Sequence, residues 1–190
     1  WYINGLYPIA SGLERKQIEY LSNSKNDTIK QRFIQYFWES RSQIKSFEEA
    51  EKYLNILNEV EKKYSSRAVS GYATDRGRIF LQYGTPTLTE KRPFESDGYP
   101  FEIWQYNTLE APNAPYQINK LFVFANYSVA GRNYELLHSD AIGEIKNTKW
   151  RIAIQKRSYM TNDIDDHGVG KSSEFGSRID NNIFFNGGGR

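Results

Sequence analysis

The sequence contains no cysteine. This excludes disulfides, thiol nucleophiles and cysteine-ligated metal sites. It leaves the compartment open, because a domain of this length can fold in an oxidising space without disulfides. Charge of one sign is also missing. The 25 Lys and Arg residues oppose 23 Asp and Glu, so the net charge is +2 and there is no polyanion or nucleic-acid footprint. No run approaches the ~18 apolar residues of a membrane span. There is no Gly-x-Ser-x-Gly elbow, phosphate loop or dinucleotide glycine pattern. His138 and His167 are the only histidines a catalytic triad could use.

What the chain does have is aromatic side chains, 15% of its 190 residues, with 14 tyrosines. Such rings suit half-buried strands that cover a core. The competing reading is a surface for sugars or partner proteins. A chain of this size can hide roughly 70% of its unfolded surface, enough for one self-sufficient domain. We place that domain at 1–160, with a polar, glycine-rich tail at 161–190. The chain begins at Trp1 rather than Met, which reads as a fragment or a processed product.

Residues 1–12 read as extended, since Pro8 restricts Tyr7. Three capping boxes follow: Ser11 with Glu14, Thr28 with Gln31, and Ser46 with Glu49. They predict helices at 12–22, 28–41 and 46–66. Ile29, Phe33 and Phe37 form one apolar stripe, and Ala50, Leu54, Leu57, Val60 and Tyr64 form another. After Gly71 the period changes to two. In 78–83, Ile79, Leu81 and Tyr83 oppose Phe80, as in a strand. A long loop is expected at 84–100, with strands at 101–106, 120–127 and 133–138. The 120–127 run is apolar on both faces, as a central strand would be. A turn through Val129, Ala130 and Gly131 should join the last two strands. At 148–158, Trp150, Ile152 and Ile154 alternate as in a strand, but we favour a helix capped at Asn147 or Thr148. The expected fold class is α+β, with N-terminal helices over one face of an antiparallel sheet of about four strands.

The stretch Gly71-Tyr72-Ala73-Thr74-Asp75, continued by Arg76-Gly77-Arg78 and closed by Gly84-Thr85-Pro86, joins the two halves. Upstream stands Phe37-Trp38-Glu39-Ser40-Arg41-Ser42, and downstream Glu102-Ile103-Trp104-Gln105-Tyr106. In this order, over about residues 10–140, these segments resemble the GWxTD-domain family, with its Phe-Trp-x-x-Arg-Asp and Glu-x-Trp-x-Tyr elements. Two positions depart from the pattern: Tyr72 replaces the family's tryptophan and Ser42 its aspartate. Members occur largely in Bacteroidetes-type bacteria, often with export signals. The resemblance implies a cell-envelope protein, in the periplasm or at the outer membrane, with other envelope proteins as partners. It implies no catalytic mechanism.

The motif has a physical use that needs no reaction. Gly71 can take a positive φ to turn the chain out of the last helix. Asp75 can accept from nearby backbone N–H groups, or pair with Arg76 or Arg78. Gly77 lets a strand start close to another backbone. Trp38 and Trp104 read as core anchors. A ligand site at Thr74–Arg78 is the alternative. Elsewhere, His138-Ser139-Asp140 holds the residue types of a triad, but adjacent strand residues point to opposite faces. Asp163, Asp165, His167 and Glu174, with Gly168 at the sixth position, match calcium-loop spacing. His at the fifth position, Gly170 at the eighth and Lys171 at the ninth depart from it, and a solvated acidic loop explains the pattern equally well. No other cofactor is implied.

Three functional readings follow. The first is a non-catalytic interaction domain of an envelope assembly. The second is a carbohydrate- or peptidoglycan-binding module that stacks sugars on Tyr99, Tyr106 and Tyr116. The third is a hydrolase using carboxylates such as Asp75, Glu102 and Asp140.

Overall fold

A computed structural model describes residues 1–94, 98–110, 115–128 and 133–155. Within them the chain is α+β. Helices α1 (Tyr2–Gly5), α2 (Gly12–Ser22), α3 (Asp27–Glu39), α4 (Ser46–Tyr64) and α5 (Asp75–Tyr83) precede the sheet. Strands β1 (Leu88–Arg92), β2 (Phe101–Leu109), β3 (Gln117–Ala125) and β4 (Glu135–Ser139) pair antiparallel in the order β1-β2-β3-β4. A short helix α6 (Trp150–Ile154) closes the described chain.

Helices α2 to α4 form where the sequence places them, but their caps differ. Only α2 has the expected capping box, with the Ser11 hydroxyl accepting from the Glu14 N–H and the Glu14 carboxylate accepting from the Ser11 N–H. At α3 the cap moves upstream to Asn26, which accepts from the Ile29 N–H. Asn is the stronger N-cap and outcompetes Thr28, which now lies inside the first turn. At α4 Ser46 is already helical and Lys45 occupies the cap with no side-chain bond. Residues 1–12 are not extended. Pro8 sits in the first turn of a 3-10 turn, Tyr7–Ile9, where its missing N–H costs nothing. The turn is held because Ile3 and Leu6 are buried and the Tyr53 hydroxyl donates to the Gly5 carbonyl at 2.7 Å.

The largest correction concerns 78–83, which is helix α5 and not a strand. Ile79, Phe80 and Leu81 are consecutive and all buried, so the apolar run has partners all round and its alternation carries no information. The ends decide the conformation. Thr74 caps the helix by accepting from the Gly77 N–H, and Gly84 follows it with φ of 80°. The fourth strand is instead β1, inside the expected loop 84–100. β1 carries Glu90, Lys91 and Arg92 on a sheet edge, where charge blocks further strand addition.

The sheet is buried on both faces. Trp104, Tyr106, Phe122, Phe124 and Leu136 point into the main core with α2–α5. Phe101, Ile103, Val123 and Ala125 point the other way, onto Trp150 and Ile154 of α6. This two-sided burial is why residues 121–125 are apolar throughout. Asn119, with φ of 52°, breaks the ladder of β2 and β3 near its far end. The α6 segment is helical, as favoured, but shorter, and Lys149 rather than Asn147 or Thr148 holds the cap position. The Asn147 side chain accepts from the Lys149 N–H and so shapes the approach. The 129–131 turn and everything beyond 155 lie outside the described residues.

Two glycines are required by close approach. An added Cβ at Gly77 would lie 1.8 Å from the Gly71 carbonyl oxygen, and one at Gly71 would lie 2.5 Å from the Val60 carbonyl oxygen of α4. At Gly12 an added Cβ meets nothing within 4 Å. We therefore predict that Gly77→Ala lowers unfolding free energy by about 3 kcal/mol, while Gly12→Ala changes it by less than about 0.5 kcal/mol. Urea denaturation of both variants checks this, and equal midpoints would contradict it.

Candidate functional site

The candidate site is the N-terminal end of α5. Thr74 is buried between Gly71 and Gly77. Its hydroxyl donates to the Gly71 carbonyl at 2.7 Å and accepts from the Gly77 N–H at 3.1 Å. The Gly71 N–H donates to Glu61 Oε2 at 2.7 Å, which ties the motif to α4. Gly71 does not take a positive φ. It is glycine because the chain passes against the α4 backbone, where no side chain fits. Gly77 serves the expected close approach, but within a helix. Tyr72, in the place of the family's tryptophan, packs against the main core.

The charged side chains then fan out to three parts of the sheet layer. Asp75 Oδ2 accepts from the Leu136 N–H of β4 at 2.7 Å. It thus satisfies an outward-facing group on an edge strand. The expected pairing with Arg76 or Arg78 is not how those arginines are held. Arg76 Nη1 donates to Glu102 Oε2 of β2 at 2.9 Å, and its guanidinium lies 4.2 Å from the Tyr134 ring centre and 5.1 Å from that of Tyr64. The Trp104 indole N–H donates to the other oxygen of Glu102 at 2.7 Å, and Lys91 approaches it at 3.8 Å. Burial, reinforced by the Glu102 charge, pushes the Tyr64 hydroxyl pKa up to about 12. Arg78 grips Glu144 with two bonds of 2.9 and 2.7 Å, and the Tyr83 hydroxyl donates to the same carboxylate at 2.9 Å. Burial, together with the Glu144 charge, also raises the Tyr83 pKa.

A second clamp closes the helical layer. Arg41 donates to both oxygens of Glu14 at 2.8 Å and to the Phe37 carbonyl at 2.9 Å, with its guanidinium 3.5 Å from the Phe37 ring centre. It thereby joins the α2 N-terminus to the α3 C-terminus. The Arg41 hydrogen bonds pull the Glu14 pKa down to about 2. Ser42, in place of the family's aspartate, accepts from the Lys45 N–H at 3.2 Å just before α4. Trp38 and Trp104 are core anchors as expected. Trp38 donates to the Tyr2 hydroxyl at 3.0 Å, and Trp104 packs among Phe80, Tyr64 and Phe124.

No family model, curated protein or solved structure matches this chain. The GWxTD resemblance therefore rests on the motif residues themselves.

The other constellations are dispersed. His138 Nδ1 accepts from the Asn147 N–H at 3.1 Å, and its ring stacks on Trp150. Burial lowers the His138 pKa, which keeps the ring neutral to accept that bond. The Ser139 hydroxyl donates to the Leu121 carbonyl, and Asp140 Oδ1 accepts from the Leu121 N–H. Each of the three serves a separate backbone bond. Of the three candidate stacking tyrosines, Tyr106 is buried with its hydroxyl on the Gly84 carbonyl. Tyr99 packs edge-on against Tyr127, and Tyr116 is exposed. Among the described residues no group of three or more His, Asp or Glu is placed to hold a metal ion. Asp163, Asp165, His167 and Glu174 lie outside the described residues. The carboxylates that complete the motif, Glu61 and Glu144, were not singled out from the sequence. Glu144 stands 66 residues from Arg78, and no local spacing announces such a pair.

Two outcomes follow. Asp75→Ala strands the Leu136 N–H at a partly buried edge and should cost about 1.5–3 kcal/mol, read as a lower denaturation midpoint with the slope kept. A variant with unchanged midpoint but lost binding would move the Thr74–Arg78 stretch from anchor to ligand site. The Glu14 pKa is depressed on folding, so its contribution is fully present above about pH 4.5 and is lost as pH falls through about 2. Allowing for solvent screening, stability should fall by on the order of 1–2 kcal/mol across that window. In Arg41→Gln this part of the acid slope should shrink, as followed by denaturation at stepped pH, with the two Ser11 hydrogen bonds still favouring the Glu14 carboxylate.

Proposed function

We propose that this chain is a non-catalytic protein-interaction domain of a bacterial cell-envelope assembly, in the periplasm or associated with the outer membrane. The observation that carries this reading is where the motif's side chains go. Asp75, Arg76 and Arg78 each hold a distant part of the sheet layer, and Thr74 holds the helix that bears them. A motif used in this way builds a rigid body whose outer faces are left for contact. The helical layer presents Leu13, Tyr20, Ile29 and Tyr36 to solvent, and such side chains grouped on one side are a common mark of an interaction surface. The motif resemblance supplies the envelope setting.

No helix among the described residues is long and apolar enough to cross a membrane. The carbohydrate reading loses one of its three stacking residues to the core, Tyr106. In the hydrolase reading, Asp75, Glu102 and Asp140 would have to give up the bonds that hold β4, Arg76 and Leu121. The proposal is tested by affinity capture from envelope extracts at physiological salt, using the tagged chain. Defined envelope proteins should be recovered in reproducible ratio. Recovery of none, alongside turnover of a glycan or peptide substrate, would overturn it.

A further inference from the structure

The outer surface of the helical layer carries two patches that match one another. The first is a groove of about 530 Å³ between α2 and α3. Phe33 forms part of its floor, Tyr20, Ile29 and Tyr36 line it, and Lys16 and Arg32 stand at its edge. Among the described residues neither of these cations has an ion pair or hydrogen bond, whereas Arg15 and Arg41 are both held. No acidic residue lines the groove.

The second patch is the turn from α3 into α4. Ile44 is 94% exposed and Phe47 79%. These two large apolar side chains, three residues apart at the start of a helix, offer an apolar contact with no cover among the described residues. Glu48 and Glu51 lie exposed beside them on the first two turns of α4 and make no ion pair among the described residues. One patch is therefore an apolar groove edged with positive charge. The other is an apolar knob whose edge is net acidic, with Glu48, Glu49 and Glu51 outnumbering the exposed Lys45 and Lys52. Both are open in the same folded chain, so they are not satisfied by each other within it.

We infer that a second copy of this chain occupies the groove, with Phe47 as the anchor between Tyr20 and Tyr36 and Ile44 beside it. Glu48 and Glu51 then face Lys16 and Arg32. The aromatic anchor supplies most of the affinity, and the charges set orientation and speed of encounter. The surfaces in contact differ, so the pairing runs knob to groove. It closes into a dimer if a two-fold axis lets both knobs dock at once, and otherwise propagates head to tail. One knob in one groove falls below the ~800 Å² per partner of a standard interface, so the association is weak, in the micromolar to millimolar range. This rests on the interaction-domain reading only in treating the helical layer as a contact face.

Sedimentation equilibrium of the whole chain from about 10 μM to 1 mM tests it. The average mass should rise with concentration and rise less at high salt. Phe47→Ser and Arg32→Glu should each weaken association about tenfold or more. Both positions are exposed, and circular dichroism of the variants verifies their folding. The decisive arm mixes Arg32→Glu chains with chains carrying Glu48→Lys and Glu51→Lys. The mixture should associate more strongly than either variant alone. A chain that stays monomeric throughout overturns the proposal, as does association indifferent to Phe47→Ser or a mixture no better than its parts. If the chain is monomeric and Arg32→Glu abolishes its binding to anionic phospholipid vesicles, the groove faces lipid and not a second copy. If envelope extracts yield other partners for a monomeric chain, the interaction reading stands and the self-contact fails.

Discussion

The close approach of three backbones around Gly71 is the constraint on which the rest of the structure depends. The chain leaves α4, turns back through Gly71 against the carbonyl of Val60, and receives Gly77 of α5 against the Gly71 carbonyl. With no side chain at either crossing, α5 sits deep in the molecule. It contacts α4, the Tyr7–Ile9 turn and β4 at once. Thr74, buried between the two glycines, satisfies the carbonyl of one and the N–H of the other. A buried backbone junction needs such an arrangement, because an unpaired polar group there costs as much as a lost hydrogen bond.

From this position α5 holds the sheet through charge. Asp75, Arg76 and Arg78 reach β4, β2 and Glu144 beyond β4, across 61, 26 and 66 residues of chain. Glu102 and Glu144 are nearly inaccessible, and each is satisfied at both oxygens. A buried charge pair of this kind adds little net stability over an apolar pair, but losing one partner is costly. Its effect here is to fix the position of the helix on the sheet, and the aromatic packing around Trp104 supplies the bulk of the attraction. Truncating such a ring typically costs about 3–5 kcal/mol.

The same residues explain why the motif reads so well as a motif and so poorly as a reaction. Gly, Thr, Asp and Arg in close order are the residue types of a phosphate or carboxylate site as much as of a helix anchor. Their partners distinguish the two. Asp75 is spent on a backbone N–H, and Arg78 on a carboxylate of the same chain. The surface left over is apolar and lies on α2, α3 and the start of α4, away from the motif.

The sequence by itself determined the α+β class, helices α2 to α4, the burial of β3 on both faces and the core roles of Trp38 and Trp104. These follow from periodicity, apolar content and end signals, all set by neighbours within a turn or two. The state of 75–83 was set by its ends, where Thr74 and Gly84 carry the helix signal; Ile79-Phe80-Leu81 is buried all round, so its pattern fits strand and helix alike. The cap at Asn26 was likewise settled by local competition, whereas the edge strand inside 84–100 came with its pairing to β2. The partners of Arg76, Arg78, Arg41 and Asp75 came only with the folded chain. A charge-assisted bond needs opposite groups within about 3 Å in space, and sequence separation places no limit on which carboxylate arrives there.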